Sequence, residues 1–365
     1  MVKNIQYLRG LAAVAVVLFH MQIWESKAVP GGGALPRGFV FGDAGVDLFF
    51  VISGFIMVHI QPERIGSLAG YFRFLAHRIT RIYPPYWLVS AALLPLWFLK
   101  PTLFNNFYHN QVDVVGSFLL LPQDYTPLLA VGWTLIHEVY FYLIVSIALV
   151  FGLRGRVIFG LLWFSLVLGV FVLFGQSDFG QVRWLQLVTS PFSMTFLLGY
   201  GLGLAYPLFR RMPRPVMGLV LVTGVAALVA GIFWIPGVGV YPNNNHLFRF
   251  VAYGIPCFLI VGASVGLEKE RARWIRSLRR VGDASYAIYL LHLPVIAGFY
   301  AVIKKFSVTD PVTLLLTAGA CFVTCIGVSV LFHRVIERRM LRATRHLMEK
   351  PPKEKSCDEP LPDVR

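Results

Sequence analysis

Charged side chains are scarce in this sequence, and their scarcity decides its class. Asp, Glu, Lys and Arg make up 14% of the 365 residues and hydrophobic residues 57%, whereas a soluble domain carries about 25% charged residues. The mean hydropathy of +0.67 points the same way. Acidic residues are scarcer still, 18 against 33 Lys and Arg, for a formal net charge of +15. Cysteines number four. Cys257, Cys321 and Cys325 fall in apolar runs and Cys357 in the tail, a pattern with neither metal-type spacing nor a disulfide framework. The glycine-rich stretch within Ala28–Gly42 lacks the Lys-Ser/Thr of a phosphate loop and reads as a flexible connection. No internal repeat, domain-separating linker or basic-aromatic module occurs, so nucleic acid is not the expected partner of the positive charge. No cleavable signal peptide is expected either: the first apolar run carries Arg9 and His20, and no small-residue cleavage site follows it.

What the sequence has instead is long apolar runs. Reading for stretches of roughly 18 to 25 apolar residues gives about ten spans. They lie near Ile5–Trp24, Ala44–Ile60, Tyr83–Leu99, Val131–Gly152, Val157–Phe174, Leu185–Phe209, Val216–Ile235, Leu247–Leu267, Ala284–Lys304 and Val312–Ile336. Val112–Leu121 is apolar but too short to span and reads as interfacial or re-entrant. The expected fold is all-α, a polytopic transmembrane helical bundle. One membrane domain over residues 1–340 is followed by a basic, Pro-rich tail over residues 341–365, expected to be disordered from about Glu349.

The basic residues sort by loop. One side holds Lys3, Arg64, Arg73, Arg78, Arg81, Arg154, Arg156, Arg210, Arg211, Arg214, the Lys269–Arg280 loop and the tail from Arg334. The other holds little beyond Lys27, Arg37, Lys100, Arg183, Lys304 and Lys305. The positive-inside rule then puts both termini in the cytoplasm. Attraction to anionic lipid headgroups accounts for the rest of the charge, so membrane lipid is an expected partner.

Polar residues inside spans are costly to bury and mark candidate functional positions. Arg9 and His20 are eleven residues apart on the first span, about 16 Å of rise and nearly whole turns, so both face one side. Arg9 would lie near the cytoplasmic surface and His20 toward the outer leaflet. Glu138, in the fourth span, is expected about 10 Å inside the outer surface, close to the depth of His20. A carboxylate there can orient an imidazole and stabilise its protonated form; the blander reading satisfies Glu138 through Tyr142, one turn away. His137 points to another face and reads as a packing residue. Arg78 and Arg81, at i and i+3 just before the third span, present guanidiniums that can clamp phosphates, although a positive-inside cluster accounts for them equally well. His292 falls near mid-membrane, where a structural hydrogen bond to another helix is the readier explanation. Asp47 pairs with a buried cation or caps its helix, and Ser53-Gly54 suits close helix packing.

Taken together, the segments LRGLAAVAVVLFH, FGDAGVDLFFVISGF, HRITRIYPPYW, GWTLIHEVYFY, FLLGYGLGL and VGDASYAIYLLHLPV resemble the acyltransferase-3 family of multi-pass membrane acyltransferases, which O-acylate surface and exported polysaccharides. The resemblance runs from Leu8 to about Glu337 and is carried best by Arg-x10-His with Arg-x-x-Arg. It implies that Arg9, His20, Arg78 and Arg81 are functional positions, that Glu138 is the family's carboxylate, and that acyl-CoA, usually acetyl-CoA, is the donor, with no metal. WTL-x-x-E resembles the exopolysaccharide-modifying branch. One departure is local: Glu337 is followed by Arg-Arg-Met rather than Pro. No lipase-like extracytoplasmic domain accompanies these segments, so a second acyl-carrying step would require a partner, with polysaccharide biosynthesis proteins as candidates.

The expectation is therefore an O-acyltransferase of a bacterial cytoplasmic (inner) membrane. CoA phosphates sit on Arg78 and Arg81, the pantetheine arm passes Arg9, and His20, oriented by Glu138, acts as general base on a hydroxyl of a carbohydrate acceptor. The absence of an obvious activated Ser or Cys favours direct transfer over an acyl-enzyme. Two rivals stand beside it: a proton-coupled secondary transporter, which intramembrane His, Glu and Arg also suit, and a non-catalytic subunit of a polysaccharide assembly complex.

Overall fold

The apolar runs become helices in the computed structural model, which describes residues 2–29, 33–60, 67–105, 109–174, 184–190, 192–234, 246–268 and 275–349. Among the described residues there is no strand. The first helices are α1 (Lys3–Ala28), α2 (Ala44–Ile60, entered through a 3-10 turn over Arg37–Asp43), α3 (Leu68–Leu99), α4 (Val114–Leu119), α5 (Gly132–Ala148) and α6 (Leu153–Phe174). Next come α7 (Trp184–Thr189), α8 (Phe192–Leu204), α9 (Tyr206–Arg211), α10 (Arg214–Trp234) and α11 (His246–Arg249), the last running through a π-turn at Phe250–Gly254 into α12 (Ile255–Gly266). Then follow α13 (Arg276–Asp283), α14 (Ser285–Lys305) and α15 (Pro311–Phe332), which continues through a π-turn at His333–Glu337 into α16 (Arg338–Glu349).

By length and composition, eight of these stretches can cross a membrane: those of α1, α2, α3, α6, α7 with α8, α10, α14 and α15. Two shorter apolar helices, Gly132–Ala148 and Phe250–Gly266, coincide with the fourth and eighth expected spans. At 17 residues, α5 is about 25 Å long against a hydrocarbon core of about 30 Å. Val112–Leu121 does not span; its six-residue helix α4 lies against α3. Tyr86 and Tyr83 donate from α3 to the carbonyls of Ser117 and Leu119 at 2.8 and 2.9 Å, and Trp87 Nε1 to Phe118 at 2.7 Å. The Tyr83 and Trp87 donors satisfy carbonyls at the end of the short helix, and the Ser117 carbonyl also accepts from the Leu120 amide.

Two boundaries differ from the sequence expectation. The third span starts at Leu68 rather than Tyr83, so the Arg78–Arg81 segment is one continuous helix with it despite Pro84, Pro85 and Pro95. The Tyr286 hydroxyl donates to the Ile82 carbonyl at 2.7 Å beside the two prolines, the kind of neighbouring support that proline in a buried helix needs. Helix also continues to Glu349, past the expected domain boundary at residue 340, because RRMLRATRHLME is built from strong helix formers. The rest of the tail, with Cys357, lies outside the described residues.

The bundle is held by close backbone approach where side chains are absent. A Cβ on Gly54 would lie 2.1 Å from the Phe196 carbonyl oxygen, and one on Gly199 would lie 2.0 Å from that of Val51. Glycine is therefore required at both crossing points of α2 and α8, as Ser53-Gly54 suggested. Around that crossing, Phe50, Phe141, Phe196 and Trp163 form an aromatic core, with Phe141 and Phe196 stacked at 4.1 Å. The amino end of α1 is capped from outside the helix: the Glu268 carboxylate accepts from the amides of Lys3 and Asn4 at 2.8 and 2.9 Å, where the helix dipole favours an anion. The outer faces of α6 and α10 expose Leu162 and Leu219, as a lipid-facing surface does.

Candidate active site

Two ends of α1 meet two different sets of residues, and the candidate site divides accordingly. Arg9, near the start of α1, shares a cavity with Arg78 and Arg81 of α3, Ser53 and Met57 of α2, Glu138 and Tyr142 of α5, and Tyr286 of α14. The fields of Arg81, Glu138, Glu337 and Tyr142 all reach Arg9. His20, about 16 Å further along α1, instead feels Asp43 and Lys27. We name these the basic and the distal end of the bundle.

At the basic end, positive charge is in excess. Arg78 is buried, its guanidinium lies 5.4 Å from the Phe74 ring centroid, and its Nε has no hydrogen-bond partner. Among the described residues, none of Arg9, Arg78 and Arg81 forms an ion pair or a hydrogen bond. The carboxylate lining the cavity, Glu138, is engaged elsewhere: Tyr142 Oη donates to its Oε1 at 2.5 Å and Ser53 Oγ at 3.1 Å. Three guanidiniums around one carboxylate make an anion site with apolar walls, Phe49, Phe50, Ile52, Ile56 and Leu135 among them. A buried cation without a partner is costly, and an anionic ligand entering here would relieve that cost.

Thr134, Phe49 and Tyr289 also line the cavity. The Tyr289 and Thr134 hydroxyls are 2.7 Å apart. The Tyr289 ring lies 5.9 Å from Phe49 and 5.8 Å from His292. His292 Nε2 in turn meets His20 Nδ1 at 3.2 Å. His20 Nδ1 is also 3.0 Å from the Val16 carbonyl, and His292 Nδ1 is 3.1 Å from that of Ile288.

The expected pairing of His20 with Glu138 is not formed. Glu138 sits with the arginines of the basic end, while His20 sits with His292. The cause lies before α5: Leu128, Leu129 and Val131 are buried, and Ser117 Oγ accepts from the Leu128 amide at 2.9 Å. The chain thus enters the bundle before α5 begins, and Glu138 shares the cavity of Arg9, Arg78 and Arg81, which His20 does not line. The blander partner, Tyr142, is the one observed. His137 points elsewhere, packed against Phe50 and Phe192 with Nδ1 3.0 Å from the Trp133 carbonyl.

Asp47 has its buried cation. Its Oδ2 accepts from Arg249 Nη2 at 2.7 Å, and Asp43 pairs with Arg249 Nη1. Arg249 lies 5.2 and 5.4 Å from the ring centroids of Phe192 and Tyr253. Neither Arg249 nor Tyr289 is assigned a role by the sequence patterns. A charge inside the apolar run Leu247–Leu267 signals a buried partner, and Tyr286, Tyr289 and His292 recur every three residues along one side of α14. Among the described residues, no group of three or more His, Cys, Asp and Glu side chains is arranged to hold a metal ion.

A family model described as Acyltransferase domain, that of the acyltransferase-3 family, matches residues 2–334. The chain is 30% identical over 320 residues to the exopolysaccharide production protein ExoZ of Rhizobium meliloti (strain 1021), covering 84% of this chain and 92% of that one. It is 25% identical over 330 residues to the peptidoglycan O-acetyltransferase OatA of Listeria monocytogenes, covering 81% and 49%. Against the O-acetyltransferase OatA of Staphylococcus aureus the values are 24% over 330 residues, covering 79% and 49%, so the chain spans about half the length of the OatA proteins. No solved structure matches the chain.

Proposed function

The chain belongs to the acyltransferase-3 family, and on that premise we propose that it moves an acetyl group from acetyl-CoA to a hydroxyl of an exported or surface polysaccharide. The observation that carries this reading is the set of three guanidiniums, Arg9, Arg78 and Arg81, without a protein acceptor in one cavity whose other walls are largely apolar side chains around Glu138. Arg78 and Arg81, one turn apart, would hold the CoA phosphates, where a guanidinium matches phosphate bidentately. The apolar walls suit the arm that carries the thioester toward Tyr289. Membership of an acyltransferase family favours this reading over the transporter and the non-catalytic subunit.

The donor supplies an activated acyl carbon. His20 would take the proton of the acceptor hydroxyl on a ring nitrogen as the hydroxyl oxygen bonds to that carbon. The carbon–sulfur bond breaks, and the imidazolium returns its proton to the departing thiolate, leaving ester and free thiol in balance. Tyr289 lines the cavity and its ring also touches His292, so in this reading the thioester passes Tyr289 before transfer. In this reading the basic end faces the cytoplasm of a bacterial inner membrane. Its acceptor is delivered at the distal end by polysaccharide biosynthesis proteins.

The test uses membranes of a deletion strain carrying the chain, supplied with [14C]acetyl-CoA. Label entering surface glycan with release of free CoA is expected. Wild-type glycan acetylation in the deletion strain, together with no CoA binding by the purified protein, would overturn the proposal. Proton-driven uptake into liposomes without CoA release would point to the transporter instead.

A further inference from the structure

His292 is fully buried on α14, and its contacts fix the protonation of both rings. Its Nδ1 is 3.1 Å from the Ile288 carbonyl. A carbonyl can only accept, so Nδ1 carries the hydrogen, and in a neutral imidazole the other nitrogen bears the lone pair. That nitrogen, Nε2, lies 3.2 Å from His20 Nδ1, so His20 Nδ1 must be the donor. The Val16 carbonyl, 3.0 Å from the same His20 Nδ1, imposes the same requirement independently. Two acceptors thus converge on one N–H. The opposite tautomer of His20 would set its lone pair against both, with no donor between them.

We infer that His292 is a positioning residue, which holds His20 as the Nδ1–H tautomer and leaves Nε2 as the basic nitrogen that meets the acceptor hydroxyl. The inference rests on His20 as the base of the reaction proposed above. When Nε2 takes a proton, charge spreads over the His20 ring, and its Nδ1–H becomes a charge-assisted donor to His292. That bond is stronger than the neutral one, so His292 stabilises the protonated base more than the resting one. This is the part expected of Glu138, filled here by a neutral imidazole. The backbone around His292 is itself braced, with Cys325 Sγ of α15 4.0 Å from the His292 carbonyl. An uncharged partner suits a site this deep, where a second carboxylate would need a cation of its own.

Membranes of the deletion strain carrying each variant, assayed with [14C]acetyl-CoA, give the maximal rate per mole of protein and KM for the donor. His292→Phe fills the space without an acceptor and should lower the maximal rate about tenfold to hundredfold, the scale of one lost hydrogen bond to a charged group. KM for acetyl-CoA should not change, because the arginines lie at the other end. His292→Gln, whose amide can accept from His20 and donate to Ile288, should recover part of the rate, which a purely space-filling role would not. Nitrogen-15 spectra of the histidine-labelled protein should show His20 protonated on Nδ1 and bare on Nε2, with that preference lost in His292→Phe. A wild-type His20 bare on Nδ1 would overturn the inference even if His292→Phe failed to fold. His20→Ala separates the two ideas. If it stays active, the base reading itself fails. If it is inactive while His292→Phe keeps the full rate, the inference about His292 alone fails.

Discussion

Tyr142 and Glu138, one turn apart on α5, share a hydrogen bond of 2.5 Å, and the same carboxylate oxygen takes a second one from Ser53 of α2. That oxygen ties two helices together, while Oε2 makes no hydrogen bond among the described residues. Glu138→Gln keeps an acceptor for both hydroxyls, so thermal unfolding in detergent should be nearly unchanged. Glu138→Ala strands the Tyr142 and Ser53 hydroxyls and should cost about 1–3 kcal/mol of stability. Because Glu138 repels a phosphate held by the neighbouring arginines, the Gln variant should bind CoA several-fold more tightly. Weaker binding in a titration of that variant would mean that Glu138 itself contacts the donor.

Arg78 and Arg81 are expected to act through binding. Each Ala substitution should weaken acetyl-CoA binding by about 1.5–3 kcal/mol per charged hydrogen bond lost, and Lys should rescue only partly because an ammonium lacks the planar fork. The buried, unpartnered Nε of Arg78 adds a second expectation. Without ligand, Arg78→Met should leave the melting temperature unchanged or raise it, since a buried cation without a partner has been removed. The stabilisation that CoA confers on the wild type, which binding to the folded state produces by mass action, should then disappear. CoA affinity unchanged in the Arg78→Ala/Arg81→Ala double variant would remove the donor site from this cavity.

Tyr289 lines the arginine cavity with its hydroxyl on Thr134, and its ring touches both Phe49 and His292, which makes it the candidate partition between cavity and histidine pair. Tyr289→Ala should open the partition and admit water to the thioester. The expected outcome is CoA release that outpaces label entering glycan, with CoA affinity unchanged. Tyr289→Phe keeps the ring and should keep the two in step. If the Ala variant stays coupled, the ring is not the partition.

Much of this arrangement is legible in the sequence because a membrane narrows the choices. Apolar run length locates the spans, and a charge inside a span demands a reason, so Arg9, His20, Glu138 and Asp47 stand out from their sequence positions alone. Gly54 follows from the small pair it forms with Ser53. Depth is the part that is not legible. Counting residues along α5 does not show that Glu138 shares the cavity of Arg9, Arg78 and Arg81, nor that Leu128, Leu129 and Val131 are buried ahead of the helix. Partners are equally hidden: His292 meets His20 across 272 positions of sequence and Arg249 meets Asp47 across 202. Spacing along one helix cannot supply such pairings; helix packing does.

Arg249 provides the last prediction, and it separates a structural from a catalytic role at the distal end. Its guanidinium pairs with Asp43 and, at 2.7 Å, with Asp47, whose side chain is 1% exposed. The network joins the start of α2 to α11 ahead of the π-turn. Arg249→Met leaves two buried carboxylates facing each other without a cation and should destabilise the protein by about 3–5 kcal/mol. Glycan acetylation and the yield of monodisperse protein should fall together, because the loss is in folding. Asp47→Asn combined with Arg249→Gln replaces one ion pair by a neutral hydrogen-bonding pair and should restore part of the yield, since the charge left uncompensated is now smaller. If activity returns with yield in the double variant, Asp47 and Arg249 hold the bundle. If yield returns while activity stays absent, one of the two side chains takes part in acceptor binding or transfer beside His20, and the structural assignment is wrong.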